Sequence, residues 1–449
     1  MWQGRIWCER PKSPLIIPAL DTACPPLYSI RMNKCVSIKE LLSCKLLSFV
    51  LCCLLVSVFF SCNKSSGVIS LDEHKLFSLK YGNFEDQLNL FSLAKPSPVR
   101  TAFTMRDGFF YIANGEAQKM MELNSYGDLL SIYYNGEGNP TPSFADATDA
   151  EIVSSTRKAV EYPFNSLGSI AADSRKYIYV VDQLPPERHE QDVENRLLLS
   201  QIVLRFASDG TFIDYIGQRG PGGMPFPYIK NIYTTYNNEL VVICQVNDGM
   251  VVYWFDTTGY LRSTIPFKVD QLPNVLDEET TNEVYLSLEN IVPSYTDEKL
   301  FVKVDYYTSS IDEASNVESG IDYTSSMLFP LDINTGIYGE PFSIPPYEQE
   351  VADGFSRLVY NLSYDFLGVT DSGWLFFIIA DDSGYSVQMV QENGDKVLRR
   401  HLDLDHRTAL FHALSLSPEG IISMLLAEEE EAKVLWWRTD SLIDAILKG

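Results

Sequence analysis

The chain has 449 residues, 45% of them hydrophobic, with 35 Lys and Arg against 60 Asp and Glu. From Cys62 onward 28 basic residues face 57 acidic ones, a net charge of −29. That balance excludes a nucleic-acid surface, which needs basic residues against phosphate, and excludes charge-driven adhesion to anionic lipid; it suits the solubility of an exported domain. Seven of the eight cysteines lie at or before Cys62, so Cys244 has no partner for a disulfide framework and reads as a small buried hydrophobe.

Residues 1–31 lack a periodic pattern and read as a non-native extension ahead of Met32. Residues 32–61 carry Lys34, Lys39 and Lys45 and then the apolar run from Leu46 to Phe60. Basic residues, an apolar run too short to span a bilayer and a small residue make the layout of a secretory signal peptide. Its end, Phe59-Phe60-Ser61-Cys62, resembles a bacterial lipoprotein signal, with looser forms of the motif seen in spirochaetal lipoproteins. What that resemblance implies is cleavage before Cys62, lipidation of its thiol and a flexible tether over 62–67, placing the protein at the cell envelope. Phe59 and Phe60 depart from the usual pattern, and an uncleaved anchor or an unlipidated signal is the alternative.

From residue 68 to 449 the recurrent unit is an apolar strand, a short polar turn and a stronger apolar strand. Its six instances begin near Ala102, Ser169, Asn231, Asn290, Leu367 and Ala413. Each is followed by a second strand pair, with turns at Asn124–Gly127, Ser208–Gly210, Asp256–Gly259, Asp332–Gly336 and Glu392–Gly394, and a sixth near Arg438 that lacks the glycine. Asn, Asp and Gly at these places supply the positive φ angles of tight hairpins. A four-strand antiparallel unit repeated six times predicts an all-β fold, a six-bladed β-propeller, rather than a sandwich. The segment 68–79 is expected to complete the last blade.

Gly217-Gln-Arg-Gly220-Pro-Gly222-Gly223-Met-Pro-Phe226 resembles the crossing segment of NHL-type six-bladed propellers, with a weaker echo at Gly136-Glu-Gly138-Asn-Pro140. Between the strand units, residues 135–165, 184–198, 268–287 and 308–325 are long connections, and Asp146 opens a short predicted helix. Long loops on a rigid scaffold are where binding residues gather.

No phosphate-binding glycine loop, Gly-x-Ser-x-Gly elbow, His-Glu-x-x-His or Cys-x-x-Cys pair is present after residue 62, so no catalytic residue is assigned. Asp403-Leu-Asp405-His406 reads as a hydrophilic strand end, and the run Glu428 to Glu431 as a solvated hairpin tip. In a propeller the first strand of every blade starts at the central channel. The residues placed there are Arg100, Asn165, Lys230, Asn231, Glu289 (or Asn290), Asp365 and His412. Calcium-dependent propeller lactonases of the gluconolactonase type hold their metal with Glu, Asn and Asp at such positions. Carried over, that resemblance implies Asn231, Glu289 and Asp365 as oxygen ligands, with calcium the implied cofactor. Arg100 and Lys230 oppose it, and a charge-lined solvated channel is the alternative. Paired aromatics such as Tyr133-Tyr134, Tyr306-Tyr307 and Trp436-Trp437 are expected to pack between blades, whereas Tyr285, Tyr295 and Tyr323 would form a sugar or peptide platform if exposed.

The expectation is a lipid-anchored propeller acting as a binding or interaction module at the cell envelope, its partner a protein, peptide or glycan. A metal-dependent hydrolase or lactonase with a channel site and a structural component of an envelope complex are the alternatives.

Overall fold

The turn chemistry read from the sequence is what shapes the outer hairpins. In the computed structural model the Asp256 carboxylate accepts the N–H of Thr258 at 2.8 Å and of Tyr260 at 3.0 Å, and Gly259 turns at φ 92°. Asn124 does the same for Tyr126 and Asp128, with Gly127 at φ 83°. The side chain closes the loop and glycine takes the left-handed corner that other residues resist.

The structure describes residues 68–90, 99–145, 157–276, 283–312, 317–353, 356–394 and 396–448. The N-terminal extension, signal peptide, Cys62 and tether lie outside the described residues, as do 146–156, where the short helix was expected. Among the described residues no helix is long and apolar enough to cross a membrane.

Six antiparallel sheets succeed one another as the blades of a propeller. Blade one is Thr101–Arg106, Phe109–Asn114, Lys119–Leu123 and Leu129–Tyr134, with Lys158–Glu161 added in parallel outside. Blade two is Leu167–Ala172, Ile178–Gln183, Gln201–Phe206 and Phe212–Gly217. Blade three is Tyr228–Thr234, Leu240–Val246, Gly249–Phe255 and Leu261–Lys268. Blade four is Val284–Pro293, Lys299–Asp312, Val317–Asp332 and Phe342–Ile344. Blade five is Asp365–Val369, Trp374–Asp381, Gly384–Gln391 and Val397–Asp403, and blade six is Phe411–Leu416, Ile421–Ala427 and Glu431–Arg438.

The ring closes as expected: His74–Lys80 pairs antiparallel with Glu431–Arg438 and becomes the fourth strand of blade six. Just before it, Ile69–Ser70 pairs in parallel with Arg400 and His401 of blade five. The segment read as a crossing does cross from blade two to blade three. Phe226 is fully buried at its end, edge-on to Tyr253 and Phe255, and its N–H donates to Gln201 O at 2.6 Å.

Alternate residues of a strand serve different interfaces. Val241 and Ile243 pack toward blade four, while Leu240, Val242 and Cys244 pack toward blade two. Six apolar clusters of this kind fill the six gaps between neighbouring blades. Strands buried on both faces read as continuous apolar runs, which is why the repeats stood out. Cys244 sits in one of these gaps as expected, its thiol pushed up by burial.

Three features differ from expectation. Residues 308–312 and 317–325 belong to the far end of two paired strands, Lys299–Asp312 and Val317–Asp332, that extend blade four, rather than to a loop. A further hairpin, Tyr347–Asp353 with Ser356–Leu362, stands between blades four and five; its polar alternation hid it. The chain also continues past Arg438 into a helix, Asp440–Lys448, which buries Ile443 against blades five and six.

Candidate functional site

The first strand of each blade lines the central channel, and in four of them the ladder is interrupted at the same place. The register slips between Ile229 and Asn231, between Leu288 and Asn290, between Leu167 and Ile170 and between Phe366 and Gly368. The unpaired residues are therefore Lys230, Glu289, Gly168 with Ser169, and Leu367. A bulge leaves one residue out of the ladder and re-aims its side chain. Blades three and four use this device on a lysine and a glutamate in matching contexts, Ile229-Lys-Asn-Ile232 and Leu288-Glu-Asn-Ile291.

The channel they enter has a volume of about 1070 Å³. Arg100, Lys230, Asn231, Glu289, Asn290 and Asp365 all line it. Tyr228, 64% exposed, stands at the end where the inner strands begin. Near the other end the buried Arg106 of blade one donates a hydrogen bond to the Tyr295 hydroxyl of blade four, directly across the ring, with its guanidinium 5.1 Å from the ring centroid.

Two expected members are elsewhere. Asn165 donates to Gln183 O at 2.6 Å, while its own N–H is held at 3.2 Å by the buried Asp182 carboxylate. His412 bonds the Tyr385 hydroxyl of blade five. Neither belongs to the channel lining: blade two's bulge and blade six's unbroken ladder put other residues inward.

Glu289 links the channel to a buried polar network between blades four and five. Glu289, its side chain 21% exposed, accepts the N–H of Phe366 at 3.2 Å and lies 3.6 Å from Lys303 Nζ. Lys303, with no exposed side-chain surface, reaches Asp305 Oδ1 at 2.6 Å and donates to Ser363 Oγ at 2.8 Å. Ser363 donates to Asp305 Oδ2 at 2.7 Å, and Ser326 donates to Oδ1. Burial pushes the Glu289 carboxyl up to about 7, against the pull of Lys303 and Lys230 and with a push from Asp305 and Asp365. Burial lowers the Lys230 ammonium, Glu289 and Asp365 opposing. Lys230 donates to the Glu289 main-chain oxygen, and neither it nor Arg100 forms an ion pair among the described residues. Arg100 donates to Ser166 Oγ at 2.8 Å. Asn290, 8% exposed, donates through Nδ2 to Phe366 O at 3.0 Å, and its side chain also meets the Tyr233 hydroxyl.

The implied calcium set does not fit. Asn231 is committed on both ends, accepting from Ser169 Oγ at 3.2 Å and donating to Tyr233 at 3.0 Å. Glu289 faces two lysines, and among the described residues no three His, Cys, Asp or Glu side chains gather to hold a metal. The weaker candidates have ordinary roles as well. Asp405 pairs with Arg407 at 2.9 Å, His406 bonds Gly384 O at 2.8 Å, and Glu428 and Glu431 pair with Lys433 and Lys75 at a hairpin turn. Tyr285, Tyr295 and Tyr323 are each partly buried, so they do not form the open platform considered for them.

Lys303, Asp305, Ser326 and Ser363 were missed. The available signal was Phe301-Val-Lys303-Val-Asp305-Tyr306, two charges on one face of a strand buried on both sides, where charge is tolerated only when paired.

No protein-family model matches the sequence, and no curated protein matches it either. Among solved structures, the chain is similar to a PL25 ulvan lyase bound to -[GlcA(1-4)Rha3S]-, at 12% identity and TM-score 0.38 over 80% of this chain and 97% of that one. A gluconolactonase from Xanthomonas campestris is 12% identical at TM-score 0.35, over 82% and 96% of the two chains. The WD40 domain of Neurospora crassa Pan2 is 8% identical at TM-score 0.35, again over 82% and 96%. The class defined by the sheets themselves is a six-bladed β-propeller with a polar central channel.

Proposed function

We propose that this protein is an exported, lipid-anchored binding module of the cell envelope that captures a glycan end in its channel. The observation that carries the reading is the pair of equivalent bulges that turn Lys230 and Glu289 into the channel. A hydroxyl both accepts and donates; one held by the Lys230 ammonium can pass its own hydrogen to Glu289. Vicinal hydroxyls match such alternating partners, and Tyr228 at the mouth offers a ring face for stacking. Desolvated polar groups left unpaired are costly, so the site favours ligands that supply the missing bonds.

The anchor rests on the resemblance of Phe59-Phe60-Ser61-Cys62 to lipoprotein signals, and an NHL-type relationship on Gly217 to Phe226. Labelled palmitate should enter the wild-type protein and not Cys62→Ala; equal labelling would remove the anchor from the account. For the ligand, a glycan array probed with the labelled protein should give hits that Glu289→Gln loses. An array without hits, or hits indifferent to that change, would refute glycan capture.

One observation favours a hydrolase as the second reading. A carboxyl near 7 on a channel wall is poised for acid–base work at neutral pH. Turnover of an array hit, abolished in Glu289→Gln, would decide for it.

A further inference from the structure

We infer that Lys303 is a built-in cation: its ammonium takes the place, among buried oxygens between blades four and five beside the channel, that a metal ion would otherwise fill, and the site works without one. The oxygens are those a hard divalent cation prefers. Both carboxylate oxygens of Asp305 and the hydroxyls of Ser326 and Ser363 are joined in one cluster, with Glu289 at its edge. Lys303 Nζ sits inside it, 2.6 Å from Asp305 Oδ1, 2.8 Å from Ser363 Oγ and 3.6 Å from Glu289 Oε2.

Two facts make the ammonium a fixture and not a passing guest. Its side chain is fully buried. It alternates with Val302 and Val304, which are locked in the gap between blades three and four, so the strand itself aims it toward blade five. Lys230 adds a second positive charge from blade three. A divalent ion entering here would meet two ammonium groups in a site of low polarisability, where like charges repel strongly. A lysine also differs from a metal in having no open coordination position. The cluster therefore braces the channel from behind and pulls the Glu289 carboxyl toward its charged form, but offers no Lewis acid to a ligand.

Removing the ammonium should convert the cluster into a cation site. Thermal unfolding of the protein is followed in EDTA, in calcium chloride and in magnesium chloride. Wild type should keep its Tm in all three. Lys303→Ala should melt lower in EDTA, because two buried carboxylates lose their partner, and calcium or magnesium should restore several degrees. Lys303→Ala/Asp305→Asn should lose that response. Should Lys303→Ala not fold in EDTA, it is refolded with each cation: recovery only with a cation supports the inference, and no recovery with either overturns it. A wild-type Tm that rises with a cation and ceases to do so in Glu289→Gln would overturn it too. So would a folded Lys303→Ala whose Tm ignores both ions.

Discussion

Arg106 and Tyr295 stand on opposite blades of the ring and meet across the channel, guanidinium to hydroxyl. The apolar clusters, by contrast, each join neighbouring blades. The Arg106–Tyr295 contact spans the ring, and Tyr295 is braced in turn by Tyr236, whose N–H donates to its carbonyl at 2.8 Å. A charged hydrogen bond between buried groups contributes about 1.5–3 kcal/mol. Tyr295→Phe should therefore lower the unfolding free energy by about 1–3 kcal/mol in urea, with the denaturant slope unchanged.

Glu289 makes stability depend on pH. Its carboxyl rises from 4.5 to about 7 in the folded protein, chiefly through burial. The folded state thus holds a proton that the unfolded chain has released, and the associated stability, full below about 4.5, is lost as the pH climbs through about 7. The size is about 3 kcal/mol. Asp182, raised by burial to about 6, acts with the same sign. Urea titrations at several pH values should show Glu289→Gln gaining on wild type across that window, and Asp182→Asn gaining over its lower part.

The closing strand is expected to be a major support. Phe77 and Leu79 enter the gap between blades six and one, where Phe77 meets Phe110 edge-on at 5.6 Å. Phe77→Ala should cost about 3–5 kcal/mol, read from the same denaturation curves.

Gly217 has a different role. A Cβ there would fall 2.3 Å from Met224 O and 2.4 Å from Gly223 O, both main-chain atoms of the crossing into blade three. Gly217→Ala should lower stability by about 1–3 kcal/mol, the usual range for overpacking, and should loosen the seat of Phe226. Increased proteolysis within 217–227 is the readout.

Much of the propeller is legible in residue order because its strands obey simple chemistry. The turns expected at Ser208–Gly210 and Asp256–Gly259 fall between Gln201–Phe206 and Phe212–Gly217 and between Gly249–Phe255 and Leu261–Lys268. Asp256 and Gly259 mark a turn whatever surrounds them, and apolar runs mark strands buried on both faces. The channel was harder to read. Arg100, Lys230, Asn231, Glu289 and Asp365 line it as expected, but Asn165 and His412 do not, since a bulge shifts facing by one residue and no composition signal announces it. Lys303 and Asp305 were hidden for another reason. They belong to the second strand of blade four, meet Ser363 sixty residues away in sequence from Lys303, and touch the channel only through Glu289. Arg106 and Tyr295 likewise meet only because six blades close into a ring.

The most direct test of the account is a crystal structure of the protein soaked with a saccharide that scores on the array. The sugar should lie inside the channel, its hydroxyls within hydrogen-bond reach of Lys230 Nζ and the Glu289 carboxyl, and a ring face near Tyr228. A sugar bound on the outer strands or on the blade-four ribbon, with the channel groups unchanged, would contradict it.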